Sequence, residues 1–388
     1  MDVDEHDHDH KEHLPCYRVS YIIIQVAFSL YHKSNNWTKH TNILFSPLSI
    51  FASSLMLSLG AKKNTHDQIL EGLNFNLTET PENLIHECFQ QLTYIFHQPD
   101  HKEQLAMDSS LFIDKNLKLK DRFVEDVNSL YHSKVIALNF NDTQRAQNQI
   151  NAYVERETQG KIAGFVKEME ADTAFALMNY IFFQGKWYDD FEVEHIAEQD
   201  FYVNSDMTVR VPMVHRRGRF FLYRELDLSS WVMVQHYMGD ATVFFMLPDQ
   251  GKMWELEETL NQRHFENSLQ LIDLRTADLY FPRLSITTTY DLKTILGTLG
   301  ITKIFSNEAD LSGVTQDALL KLDKAVHKAV LTFGDEVTEA AWNTSWSKRD
   351  VPQNLSIHFN RPFIFVIKDE YTNCPLFVGK VVNPTTND

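Results

Sequence analysis

The chain has no long apolar run. Its most hydrophobic stretches, YIIIQVAF and FALMNYIFF, stop well short of the roughly 20 residues a helix needs to cross a bilayer, so no membrane span is expected. Cysteine is scarce: Cys16, Cys88 and Cys374 form an odd set, which leaves at least one thiol free or paired with another molecule. There is no C-x-x-C, and the spacings are far from those of a zinc site, so buried or unreactive thiols are the expectation. Positive charge is in deficit, with 36 Lys and Arg against 53 Asp and Glu and a net charge of -17. Nucleic acid and anionic membrane surfaces are bound largely through Lys and Arg, so neither is an expected partner. A basic ligand or a basic protein surface stays open.

Catalytic signatures are missing as well. His86-Glu87 begins like a zinc-protease H-E-x-x-H, but Gln90 stands where the second histidine belongs, so one ligand a helical turn away is absent. No G-x-S-x-G elbow, phosphate-binding G-x-x-x-x-G-K-[ST] or dinucleotide G-x-G-x-x-G occurs. Histidines and carboxylates are numerous, yet no spacing pairs an acid with a base. Neither an enzyme nor a metal or cofactor site is expected.

What is present reads as one large globular unit of 388 residues. The start, MDVDEHDHDHKEH, sets His6, His8, His10 and His13 among acids with nothing apolar to bury; residues 1–15 are expected to be a disordered tail. No repeat and no linker rich in Pro, Gly or Ser follows, so 16–388 reads as a single domain. In FSPLSIFASSLMLSLGAKK, Ser46 offers an N-cap oxygen, Pro47 suits the first helical position and Gly60 can take a left-handed C′ conformation. The helix between them is apolar nearly all round. Thr65 and Gln68 have capping-box spacing for a second helix ending near Gly72. WVMVQHYMGDATVFFMLPD predicts strands over 231–237 and 241–247 with a turn at Gly239-Asp240, and the C-terminal stretch predicts another pair. Helices crowd the first half and strands the second, which favours α+β. Five N-x-[ST] triplets, at Asn36, Asn76, Asn141, Asn343 and Asn354, favour a secreted, extracellular glycoprotein lacking its signal peptide.

Several long segments in order resemble the serpin family: NILFSPLSI, LSLGAKKNTHDQILEGLNFNLTETPENLIHECFQQL, NYIFFQGKW, LYFPRLSITTTYDLKTILGTLGITKIFSNEADLSGVT, KAVHKAVLTF and FNRPFIFVI with PLFVGKVVNPT. The resemblance implies a fold of three β-sheets with eight or nine helices and an exposed reactive loop, here at about 335–356. It implies a shutter at Ser46, Ser49, Asn179 and His327, a polar cluster beneath the central strands of the main sheet, and a breach at Trp187 where a loop would begin to insert. A serine protease, met as substrate or as inhibitory target, and a small apolar ligand are the partners implied, with the chain acting as a monomer. In the family mechanism the protease cleaves the loop as an acyl-enzyme, and the freed segment enters the main sheet as a new strand before deacylation.

The loop meets that demand incompletely. Thr338, Glu339, Ala340 and Ala341 match the family's hinge, but Val337 replaces a glycine, and a β-branched residue resists the turn that starts insertion. Strand side chains alternate, so Thr338, Ala340 and Trp342 share one face; Trp342 would have to enter a slot fitted to a small residue. A glycan at Asn343 would add bulk beside it. Counted along the family pattern, the scissile bond falls at Val351-Pro352, where proline's fixed φ and missing N–H suit a serine protease poorly. Cleavage after Lys348 or Arg349 is the alternative. The expectation is a non-inhibitory or poorly inhibitory protein acting by binding a ligand or a protein, with a serine protease inhibitor as the competing reading.

Overall fold

The computed structural model describes residues 15–34, 37, 42–97, 104–187, 193–237, 240–316, 319–334 and 355–386. Its elements run α1 (Pro15–Lys33), β1 (Ile43–Phe45), α2 (Pro47–Ser58), α3 (Lys63–Gly72), α4 (Glu82–Tyr94), β2 (Leu105–Asp114), α5 (Asp121–Tyr131), β3 (Lys134–Leu138), α6 (Thr143–Glu157) and β4 (Phe175–Gln184). They continue as β5 (Val193–Tyr202), β6 (Thr208–Glu225), β7 (Ser230–Tyr237), β8 (Ala241–Pro248), α7 (Met253–Thr259), α8 (Gln262–Leu271), β9 (Asp273–Pro282), β10 (Leu284–Asp291) and α9 (Leu292–Thr298). The chain closes with β11 (Lys324–Phe333), β12 (Ser356–His358), β13 (Phe363–Asp369) and β14 (Pro375–Val381). The α+β class is as expected, and so are the β7–β8 hairpin and the β13–β14 pair. In the turn between β7 and β8, Asp240 has φ +61°; Gly239 lies outside the described residues, as does nearly all of the 1–15 tail, whose last residue opens α1.

Two compact units are each assembled from three separate stretches of chain. One comprises Met1–Val26, Leu48–Ile181 and Thr289–Lys328; the other comprises Ala27–Pro47, Phe182–Thr288 and Ala329–Asp388. The first unit is built around α2, which begins at Pro47 and is buried along its whole length. Its serines survive there because they bond locally: Ser54 Oγ donates to Ile50 O and Ser58 Oγ to Leu55 O. On α5 and α6 the buried residues recur every four positions, Phe123, Val127 and Tyr131 on one and Ala146, Ile150 and Val154 on the other, the stripe of a helix lying on a core. Asp142 caps α6 by accepting from Arg145 N.

Three local expectations fail here. Gly60 does not adopt a left-handed backbone. It is glycine because a Cβ there would sit 2.3 Å from Val314, and Gly313 N donates to its carbonyl at 3.0 Å. The capping box does not form either: the N-cap of α3 is Lys62, with no side-chain bond. Thr65 Oγ1 instead accepts from Asp310 N, and Gln68 Oε1 accepts from Thr302 N and Lys303 N. Both side chains satisfy the backbone of a distant loop, a use that helix-start spacing cannot reveal. Finally, Cys16 and Cys88 are joined as a disulfide between α1 and α4, leaving Cys374 as the free, buried thiol.

The second unit holds a sheet with the order β1-β14-β13-β8-β7-β6-β9-β12, and β5 pairs with β6. Its interior is aromatic: Phe245, Phe281, Phe359 and Phe363 touch in sequence, with ring centroids 5.0 to 5.1 Å apart. A five-stranded sheet has the order β10-β11-β4-β2-β3, which makes β11 and β4 direct neighbours.

Candidate functional site

β4 carries the sequence FALMNYIFFQ, apolar except near its centre, where Asn179 is 1% exposed. A buried amide has to find partners for its donors and its acceptor, and Asn179 finds them on both neighbouring strands. Its Nδ2 donates to Asp108 O at 3.2 Å and Ser109 Oγ at 2.9 Å on β2. Its Oδ1 accepts from His327 Nδ1 on β11 at 2.6 Å. Ser109 Oγ extends the network to Ser53 Oγ on α2, 2.9 Å away. His327 is fully buried, and burial pushes its pKa down to about 3; the ring is neutral and carries its proton on Nδ1, facing a carbonyl oxygen. The Tyr290 ring lies nearly parallel to it, with centroids 6.4 Å apart.

The polar groups therefore tie three adjacent strands through one asparagine. Of the residues the resemblance assigns to the shutter, Asn179 and His327 bond directly. Ser49 is fully buried on α2, one turn before Ser53, and Ser46 is fully buried just ahead of that helix. Ser53 and Ser109 were not singled out from the sequence; Ser53 is one of several serines in an apolar stretch, and Ser109 stands between Asp108 and Ser110. Chemically the cluster is a clasp. Through Nδ1, His327 faces an amide oxygen and not a hydroxyl. Among the described residues no three His, Cys, Asp or Glu side chains are grouped to hold a metal ion.

In the second unit, Trp187 bridges to Tyr237. Its ring lies 5.3 Å from that of Tyr237 and 6.2 Å from that of Phe281. The Arg216 guanidinium sits 4.6 Å over the indole and donates from Nε and Nη2 to Glu194 Oε1 at 3.1 and 3.0 Å. Gly185, two residues before Trp187, leaves room for this packing: a Cβ would come within 2.6 Å of the Tyr237 ring and 2.9 Å of Phe333. β11 ends at Phe333, and Gly334 then takes φ +87° with the Arg283 backbone 3.1 Å from where a Cβ would be. A side chain is excluded at that turn on both grounds. After the loop, Leu355 O accepts from Asp278 N at 3.0 Å and β12 begins at Ser356. Arg216, Glu194 and Gly334 also went unnoticed in the sequence; only Gly334, opening an acidic turn, left a local sign.

The hinge residues Val337, Thr338, Glu339, Ala340, Ala341 and Trp342 lie outside the described residues. So do Lys348, Arg349, Val351 and Pro352 and the sequons at Asn36, Asn343 and Asn354. The two remaining sequons are exposed. Asn76 Oδ1 accepts from Thr78 N and Thr78 Oγ1 at 3.0 and 2.7 Å, and Asn141 immediately precedes the Asp142 cap of α6.

A polar cluster thus joins three adjacent strands, and residues 335–355 separate the glycine after β11 from the start of β12. Residues 22–384 match the family described as Serpin (serine protease inhibitor), and the chain belongs to that family, one of protease inhibitors and not of enzymes. It is 50% identical over 384 residues to the human alpha-1-antitrypsin-related protein, covering 99% of this chain and 91% of the relative. It is 48% identical to alpha-1-antitrypsin of Sus scrofa over the same share of each. Among solved structures, human thyroxine-binding globulin in complex with thyroxine superposes with a TM-score of 0.86 at 35% identity, covering 96% of this chain and 100% of that one.

Proposed function

We propose that this chain is a secreted serpin that inhibits proteases poorly or not at all and acts by binding a ligand or a protein partner. The observation that carries the proposal is the loop sequence: Val337, Trp342 and the Asn343 sequon each oppose rapid entry of the loop between β4 and β11. Entry must separate the strands that the Asn179–His327 bond holds together and fit an indole into a close-packed slot; overpacking by even a few methylenes costs about 1 to 3 kcal/mol. The likeness to a thyroxine-binding globulin, whose solved structure contains thyroxine, is consistent with carriage of a small apolar ligand on this scaffold. Shutter roles for Ser46, Ser49, Asn179 and His327, and a breach role for Trp187, belong to the same proposal. Their burial and bonding support it. Exposure of Asn76 and Asn141 agrees with secretion and glycosylation, which a fall in apparent mass after enzymatic deglycosylation of secreted material would register.

The competing reading, an inhibitor of the alpha-1-antitrypsin type, is favoured by 48 to 50% identity to those proteins. The deciding experiment incubates the protein with trypsin-, chymotrypsin- and elastase-like proteases and resolves the products on a denaturing gel. Cleaved protein without a covalent complex is expected. A stoichiometric complex that survives denaturation would sink the proposal and establish inhibition.

A further inference from the structure

Four aromatic rings line up across four strands of the second unit. Register pairs His195 of β5 with His215 of β6, His215 with Tyr280 of β9, and Tyr280 with His358 of β12, so all four share one face of the sheet. The planes are nearly parallel, at 8°, 13° and 3°, with centroids 5.6, 4.6 and 4.3 Å apart along the row. One rung over, Arg217 is paired in register with Asp278. Asp278 has no exposed surface; its Oδ1 accepts from His215 Nε2 at 2.6 Å and from Arg217 Nε at 3.1 Å.

β12 is the outer end of this row and a terminal strand of the sheet order. It is three residues long and pairs with β9 alone. Asp278 N to Leu355 O and Phe359 N to Tyr280 O, at 3.0 and 2.8 Å, cross the same seam. The stack of His358 on Tyr280 adds to the short ladder and to the burial of Ile357 and Phe359 in keeping the strand docked.

Among the described residues, charged and titratable groups approach the row from each strand it crosses. β5 brings His195, and Glu194 is engaged with Arg216. β6 brings His215, Arg216 and Arg217; β9 brings Asp278 and Tyr280; the β12 segment brings His358 and Arg361, the latter facing Asp249 and Arg224. Asp278 is bonded to the row at His215 and is shared with the cationic Arg217. Protonation of His215 and His358 would place a cationic ring on each side of Tyr280. We propose that the row is an acid-sensitive latch, in which protonation of His215 and His358 releases β12 from β9.

The direction of the effect follows from burial. Burial first, then neighbouring His195 and Arg217, hold His215 below the ordinary histidine value against the pull of Asp278. Burial, then Arg361 and His215, do the same for His358. A histidine whose pKa is depressed in the docked state binds a proton more readily once released. Docking is therefore unaffected above about pH 6.5 and weakens as pH falls below it.

Amide hydrogen exchange on the full-length protein, at about pH 7.4 and about pH 5.5 with intrinsic rates corrected, tests the latch. The amides of Asp278 and Phe359, which cross the seam, should lose protection by about tenfold for each unit of depression that is titrated, while the β8–β13 ladder keeps its own. His358→Phe retains a stacking ring at an exposed edge position and removes its proton site; His215→Asn keeps a donor for Asp278. Each should reduce the pH response, and the pair should abolish it. Unchanged protection of the two seam amides in the unmodified protein overturns the proposal. Where His215→Asn prevents folding, an undiminished response in His358→Phe alone overturns it.

Discussion

Asn179 shows how much a single side chain can organise. Replacing it with alanine removes the acceptor of His327 Nδ1–H and the donor to Asp108 O and Ser109 Oγ, and each buried group so orphaned costs about 1 to 3 kcal/mol. Asn179→Ala should shift the urea unfolding midpoint downward accordingly, and His327→Ala should do the same; unchanged midpoints in both would show that the bonds are dispensable. His327 also makes stability depend on pH. Its folded pKa, pushed to about 3 by burial, lies below the ordinary 6.5, so the unfolded chain binds the proton first. The contribution is complete above about pH 6.5 and is lost as pH falls toward about 3. A His327→Gln variant, which retains an amide donor but cannot titrate there, should show a flatter loss of stability over that interval in a pH series of melting curves. Asn179 and His327 were legible because whole segments around them resemble the family. Ser53 and Ser109 were not, because partners 56 residues apart are chosen by how α2 packs on β2, which no local pattern states.

Among the elements, α4 is tied by side chains to three other helices. Cys88 joins it to α1, and Glu82 Oε1 accepts from His66 Nε2 of α3 at 2.7 Å. His86 Nδ1 bonds the Tyr131 hydroxyl of α5. The disulfide closes a sequence separation of 72, for which chain entropy sets a bound of about 4 kcal/mol. Cys16→Ser with Cys88→Ser should therefore lower stability by about 2 to 4 kcal/mol in denaturant titration, and reductant should have no further effect on that variant. The His66–Glu82 pair predicts a different signature. The hydrogen bond from His66, aided by one from His86, lowers Glu82 to about 2, and the bond to Glu82 raises His66 to about 9. The coupling is then whole between the ordinary values of 4.5 and 6.5, fading as pH falls through about 2 or rises through about 9. Glu82 is partly exposed, so a double-mutant cycle with alanine should give only about 1 kcal/mol near pH 6 and nothing near pH 10. Element types were legible where hydrophobic pattern and burial agree, as in α2 and the β7–β8 hairpin. The Thr65/Gln68 capping box misled because the same side chains serve a tertiary bond, and the disulfide escaped notice because pairing of distant cysteines is set by helix packing.

At the level of the whole molecule, scaffold and loop make opposite demands. The sheet in which β11 lies beside β4 is closed by Asn179 and His327, and the family mechanism requires it to open for a strand. A loop of small residues could enter quickly; in the reading proposed above, Val337 would restrict the starting turn, Trp342 would overfill an inward position, and a glycan at Asn343 would obstruct the approach. Trypsin-like cleavage after Lys348 or Arg349 should then leave the freed segment outside the sheet, and the melting temperature should rise by no more than a few degrees. The combined variant Val337→Gly, Trp342→Ala and Asn343→Ala removes all three obstacles without touching the clasp. After the same cleavage it should gain a sixth strand in that sheet and, with several kcal/mol of new pairing and burial, melt on the order of 10 °C higher or more. Differential scanning calorimetry of intact and cleaved forms separates the cases. A large rise on cleavage of the unmodified protein would mean that the sheet admits Trp342 after all, and that the barrier to inhibition lies elsewhere than in these three residues.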